Sequence, residues 1–321
     1  MIDFRYHLVS IVAIFLALSV GIVLGTTLLK EPAIDTAETL ANQLRLSNNE
    51  LRAELKTVQG QNAANDAFVT ADTPRLVRDT LAGERVVIVE APGSSVSMRE
   101  AVQQVVTESG AIVSGRVTLT DKYLDATQSD VVDRLATDAK PVEMTFTAED
   151  TPYDKAAAVL ANAIVTGDPA QVGKANPVAA GVLEAFQRGG LINVAEQPAK
   201  RADLALVVGP AEPYAGETAV AQSAAVVSMA TALDEAGRGT VLAGPLNSSA
   251  AGGTLAALRE DTVAAEKVST VDNVDMPAGR VVVVYALREQ LSGSSGQYGM
   301  GPGVSAIEPS APAVPTPTSG G

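Results

Sequence analysis

The chain has 321 residues, 46% of them hydrophobic but only 3% aromatic, with no Trp, so any core is built from Ala, Val, Leu and Ile. Cys is absent, which excludes disulfides and thiolate-based zinc, iron–sulfur or copper(I) centres. The formal net charge of −14 excludes the basic surface that a nucleic-acid binder needs.

From Leu8 to Leu29 no residue is charged. At about 1.5 Å per residue, a helix of that length crosses a hydrocarbon core of about 30 Å. A cleavable signal peptide is the rival. Its apolar region is shorter, roughly 7–15 residues, and ends in a small-x-small site. The run Thr26-Thr27-Leu28-Leu29-Lys30 offers no such site. The sequence therefore predicts a short cytoplasmic N-terminus over 1–7 and an uncleaved transmembrane helix over 8–29. Arg5 and the free amino terminus precede the span, whereas Lys30 is the sole basic residue after it until Arg45. That asymmetry places the N-terminus in the cytoplasm and the main domain outside it. Ala17, Gly21 and Gly25 recur every four residues on one helix face, where small side chains let a second helix approach closely. Gly and Ala are also common in membrane helices generally.

Residues 33–70 carry a heptad trace that reads as a coiled-coil stalk. With Ile34, Ala41, Asn48, Leu55 and Asn62 at one seam position, Ala37, Leu44, Leu51, Val58 and Asn65 fall at the other. The seam is strongest at Leu44, Leu51, Leu55 and Val58, and Asn48 in its middle is the residue type that fixes register in a two-stranded coil. Span and stalk together predict a parallel homodimer, or pairing with a similar membrane-anchored partner. The alternative is a single amphipathic helix packed back onto its own domain.

Residues 72–291 read as an α/β domain. Arg85–Glu90 is a buried strand, Ala91-Pro92-Gly93-Ser94 a turn, Ser97–Ser109 a helix and Ala111–Leu119 a second strand. Helices follow over 127–138 and 153–165, and Val182–Arg188 is helical up to Gly189-Gly190. Asp203–Gly209 and Thr240–Gly244 are strands that close with Gly-Pro, on either side of a long Ala/Val helix over Glu217–Glu235. This alternation predicts βαβ units and a Rossmann-like, largely parallel sheet. Val281–Val284 suits a strand by residue type, but Pro277, Leu287 and Leu291 favour a helix over about 276–291 with Asp275 as its cap. From Ser292 to Gly321, Gly, Ser and Pro predict a disordered tail.

No catalytic, cofactor-binding or metal-binding residue emerges, and the chain reads as a non-enzyme. The turn Ala91–Ser95 follows the first strand, where doubly wound domains bind phosphate, but it lacks GxGxxG or GxxxxGK[ST]. The sole His, His7, lies at the membrane edge, so no His-based triad forms in the domain. Asp272 and Asp275 are candidates for a hard-cation or hydrogen-bonding site, although a turn and a helix cap account for them more simply. Asp121, Asp125, Asp130, Asp133 and Asp138 read as a solvated face.

The chain resembles the actinobacterial MctB-like copper transporter family. The resemblance runs from Met1-Ile2 through Phe15-Leu16-Ala17-Leu18 to Gly21-Ile22-Val23-Leu24-Gly25. It resumes at Val268-Ser269-Thr270-Val271-Asp272-Asn273-Val274-Asp275, Pro277-Ala278-Gly279-Arg280 and Gly296-Gln297-Tyr298-Gly299, with Val86–Val89 and Thr240–Gly244 also fitting. It implies a role in copper efflux or homeostasis and an outer-membrane location. A related branch implies a scaffold for cell-envelope growth or division. The residues themselves fit a pore poorly, because a membrane barrel needs many alternating strands of about ten residues. Copper(I) prefers thiolates and thioethers. With no Cys, and with Met98, Met144, Met229 and Met276 read as packing residues, any copper contact is expected to be indirect or through oxygen ligands.

Overall fold

The structure is a computed structural model that describes residues 4–310, with the side chains of residues 27–38 outside the description. The chain divides into two compact units between Asn65 and Asp66. One helix, α1 (Phe4–Leu76), supplies the first unit and runs into the second. Its backbone is helical through Pro32, between the expected span and the expected stalk. Phe4–Thr26 is long and apolar enough to cross a membrane. The seam positions Ile34 and Ala37 and the last expected residues of the span, Thr27–Leu29, have side chains outside the description.

The second unit alternates strand and helix. In order it contains β1 (Arg85–Glu90), α2 (Val96–Glu108), β2 (Ile112–Leu119), α3 (Asp121–Leu124), α4 (Ser129–Ala139), α5 (Pro152–Ile164), α6 (Pro177–Arg188) and β3 (Ile192–Glu196). There follow β4 (Leu204–Val208), α7 (Ala219–Ala236), β5 (Thr240–Ala243), α8 (Thr254–Glu260), α9 (Thr262–Lys267), β6 (Ser269–Val271), α10 (Pro277–Gln290) and β7 (Gln297–Tyr298). The strands form one seven-stranded sheet in the order β3-β2-β1-β4-β5-β6-β7. Every pairing is parallel except β2 with β3, which is antiparallel. The predicted α/β fold with a largely parallel sheet is thus present, with an antiparallel edge strand.

Strand periodicity explains the two layers. Successive side chains point to opposite faces. Val87, Val89, Ala205, Val207 and Leu242 therefore enter the core beneath α4–α8, while Val86, Ile88, Leu204, Leu206 and Val241 enter the core beneath α2 and α10. Burying both faces requires near-continuous apolar strands, and Leu204–Val208 is buried at every position. Each Val, Leu or Ile side chain so buried contributes about 1.5–3 kcal/mol relative to exposure.

Helix starts follow local chemistry. Ser95 caps α2 by accepting from Met98 N. Thr151 and Asp154 form a reciprocal capping box on α5, and Asn176 caps α6 with Pro177 in its first turn. The helix expected over 276–291 is α10, whose Val281–Val284 lie buried against the sheet. Its cap is corrected: Met276 occupies the N-cap position with no side-chain bond, and Arg280 Nη2 donates to the Asp275 carbonyl at 2.8 Å. The tail expected from Ser292 is also corrected over 292–310. There β7 pairs with β6, and the Tyr298 hydroxyl donates to Glu289. Residues 311–321 lie outside the described residues.

At the opposite end of the strands from their carboxyl termini, Glu84, Asp203 and Arg238 meet. Arg238 Nη1 lies 3.1 Å from Glu84 and 3.3 Å from Asp203, whose other oxygen accepts from Arg85 N at 2.7 Å. A hydrogen bond shared with Asp203, then burial, then the Asp203 charge push the Glu84 carboxyl up to about 7, against the pull of Arg238. The folded state therefore binds this proton more tightly than the unfolded chain does. Its stabilisation is complete below the ordinary Glu range and is lost as pH rises through about 7. Burial pushes Asp234 up to about 6, which acts in the same direction. The urea midpoint of the domain should thus fall between pH 5 and pH 8. In Glu84→Gln, which keeps a neutral partner for Asp203, the fall should be clearly smaller, as followed by near-ultraviolet circular dichroism.

Candidate functional site

Three places carry side chains of functional interest: the exposed face of α1, the crevice where strand order reverses, and the carboxyl ends of β5–β7. On α1, Gly21 and Gly25 have open space where a Cβ would stand, so the Ala17, Gly21 and Gly25 face is uncovered. The seam residues Leu44, Asn48, Leu51, Leu55 and Val58 follow 4-3-4-3 spacing on this helix and are exposed, Leu51 by 56%. An isolated helix leaves such a stripe in water, which is the condition that helix pairing relieves.

Strand order reverses between β1 and β4, the position at which doubly wound folds bind ligands beyond the carboxyl ends of the strands. Here the loops close on each other. Ala211 N donates to Gly93 O at 2.9 Å, the Tyr214 hydroxyl to Pro92 O at 2.9 Å, and Ser248 Oγ to Pro210 O at 2.6 Å. Gly93 takes a φ of +80° to make the turn, with the Pro210 side chain 3.5 Å from where a Cβ would lie. Below the turn, buried Glu90 lies 2.9 Å from Arg116 and 3.4 Å from Arg99 and accepts from Thr118 at 3.2 Å. The turn Ala91–Ser95 is therefore bonded to its neighbours across the crevice.

The carboxyl ends of β6 and β7 hold the most fully engaged polar group. Asp272, with 0% exposure, pairs with Arg259 at 2.9 Å and accepts from Met300 N at 2.8 Å and Gly301 N at 2.9 Å. Arg259 also donates to Thr270 Oγ1, Pro302 O and Tyr298 O at 2.9, 2.8 and 3.1 Å. A Cβ on Gly299 or Gly301 would stand 2.0 Å from Asp272 Oδ1 or Ser249 Oγ, so the loop closes only with glycine at these positions. The hydrogen-bonding site anticipated at Asp272 is present, but Asp275 is not brought into it. The partners Arg259, Met300 and Gly301 were not anticipated; the spacing Gly299-Met300-Gly301-Pro302-Gly303 was the available signal of a tight wrap.

Breaking one side of a buried ion pair leaves an uncompensated charge, which costs about 3–5 kcal/mol. Arg259→Met should lower unfolding stability by that amount and expose residues 297–303 to protease, as read by urea titration and by mapping limited-proteolysis fragments. Unchanged protection of Gly299–Gly303 would contradict this role for the pair.

Among the described residues, no group of three or more His, Cys, Asp or Glu side chains is placed to hold a metal ion. Met98 and Met229 are buried as packing residues, whereas Met276 is 37% and Met300 51% exposed. The packing role read for Met276 is thus only partial.

Comparison with known proteins bears on the whole chain. The family model described as "Copper transport outer membrane protein, MctB" matches residues 1–309. Proteins named "Copper transporter MctB" from Mycobacterium tuberculosis (strain ATCC 25618 / H37Rv) and Mycobacterium bovis are 29% identical over 323 residues, covering 96% of this chain and 99% of each relative. The protein of the same name from Mycobacterium leprae (strain TN) is 29% identical over 324 residues at the same coverage. A match of this extent, from the apolar N-terminal helix through the loop that wraps Asp272, places the chain in the MctB family.

Proposed function

We propose that this chain is a bitopic envelope protein contributing to copper efflux or homeostasis, with a cytoplasmic N-terminus and its α/β domain outside the cytoplasm. The observation that carries the reading is the end-to-end match to mycobacterial proteins named as copper transporters. Its apolar helix, long enough to cross a membrane, supports the anchoring. The domain does not resemble a membrane barrel: its sheet is open and both its faces carry apolar cores under helices. With no Cys in the chain, copper(I) lacks its preferred thiolate ligands. We therefore read the contribution to efflux as exerted through assembly with other envelope components rather than through a metal cage of this chain's own. The outer-membrane location in the family description enters on the same footing, as the place where that assembly acts.

A second reading is favoured by the exposed heptad stripe on α1: a non-enzymatic dimeric scaffold for envelope growth or division partners. Both readings share the paired stalk. The chain has no native Cys, so single-Cys variants report pairing directly. Leu51→Cys, at the seam, should give a disulfide-linked dimer in membranes, and Ala53→Cys, on the outer face, much less. Absence of any Leu51→Cys dimer would remove the paired stalk from both readings.

Deleting the gene should raise copper sensitivity and cell-associated copper several-fold, with recovery on expression of the full chain. Unchanged copper tolerance together with altered division or wall-stress sensitivity would reject efflux in favour of the scaffold.

A further inference from the structure

An Ala/Val-rich helix such as α7 is expected to be buried on all sides, yet the start of one of its stripes is left open. Val220, Ala224, Val227 and Thr231, spaced 4-3-4, line a cleft of about 580 Å³ between α5 and α8; Val220 is 82% exposed and Ala224 is exposed, whereas Thr231 is half-buried and Val227 is buried in the core. Ala158 of α5 and Ala257 of α8 form its sides. The floor along α7 is thus made of small or short side chains, and the larger Met144 and Phe146 complete the apolar lining. From Val220 to Glu235 the stripe runs about 22 Å, four turns of helix.

The charged side chains that line this groove are all acidic. Asp150 and Asp154 stand on one side, Glu260 and Asp261 on the other and Glu235 at the end, and no Lys or Arg lines it. Several of these carboxylates are held in place by the fold. Asp154 accepts from Thr151 and Ser228, Asp150 from Thr147 N, and Asp261 caps α9. Glu235 is paired with Lys267. Lys140 and Lys155 lie over the ring of Phe146, itself part of the lining, and are committed to the Met144 carbonyl and to Asp133. A fixed acidic rim around an apolar floor complements a cationic amphipathic partner.

We propose that this cleft receives a basic amphipathic helix of a partner protein, laid along α7 with its apolar row on Val220–Thr231 and its Lys or Arg flanks on the two acidic rims. A second copy of this chain is a poorer match, because its exposed stalk carries Glu50 and Glu54 beside Arg45, Arg52 and Lys56. The surface is separate from the α1 stripe and does not rest on the copper reading.

The test uses the full chain in nanodiscs of zwitterionic lipid, with empty nanodiscs subtracted. The probe is a 16-residue Leu/Lys amphipathic peptide bearing a photo-crosslinker, compared with its Leu/Glu counterpart. The Leu/Lys peptide should bind one to one, crosslink within 220–235 and lose at least threefold in affinity in both Glu260→Lys and Ala224→Trp. Glu108→Lys, on α2 at the other face of the sheet, should change nothing. The Leu/Glu peptide should not bind. A loss below threefold in Glu260→Lys, a surface change whose fold is checked by its thermal midpoint, would overturn the proposal. So would crosslinks outside the cleft, or equal binding of the two peptides.

Discussion

A hydrocarbon layer offers no partner to a backbone amide, so an apolar segment that enters it alone must satisfy its own hydrogen bonds as a helix. The N-terminal part of α1 meets that condition over Phe4–Thr26, and the rest of the account depends on it. One helix cannot by itself enclose a pathway for an ion. Among the described residues, Phe4–Thr26 is the one helix long and apolar enough to cross a membrane. The uncovered Ala17, Gly21 and Gly25 face and the exposed Leu44–Val58 stripe lie on this same helix, which makes it the element most suited to recruit a second helix.

The domain spends its polar groups on itself. At the reversal of strand order, where this topology ordinarily leaves a ligand crevice, Gly93, Pro92 and Pro210 are bonded across the gap. Glu90 is held by two arginines, and Asp272 by Arg259 and two backbone amides. These arrangements make rigid loops, because both carboxylates are buried as well as paired and so are closed to solvent. Among the surfaces left open are the α1 stripe and the acid-lined groove along α7.

Much of the fold was legible in the sequence, for reasons visible in particular residues. Arg85–Glu90, Leu204–Val208 and Thr240–Ala243 are apolar runs ended by Gly or Pro, the pattern of strands buried on both faces. Pro277 followed by Leu287 and Leu291 identified α10 despite four consecutive valines. The elements that escaped lack such local signals. β3 is an edge strand whose Asn193 and Glu196 are exposed, and β7 is two residues long and is defined only by its pairing with β6. Helices α8 and α9 begin after a Gly/Ser-rich stretch that reads as loop. Asp272 drew notice, but its role comes from Arg259 on α8 and from a loop 28 residues away. Asp203 and Glu84, whose carboxyl groups meet beside Arg238, lie still farther apart along the chain. Periodicity reports which face of an element is apolar; it does not report which distant charge will meet it.

The central claim is that the apolar N-terminal helix remains in the mature protein and tethers a water-soluble domain to the membrane. The direct measurement is the intact mass of the native protein recovered from carbonate-washed membranes. The account predicts a polypeptide that still contains residues 8–29 and is released only by detergent. A soluble product beginning after Lys30 would contradict it, and with it the pairing of the stalk.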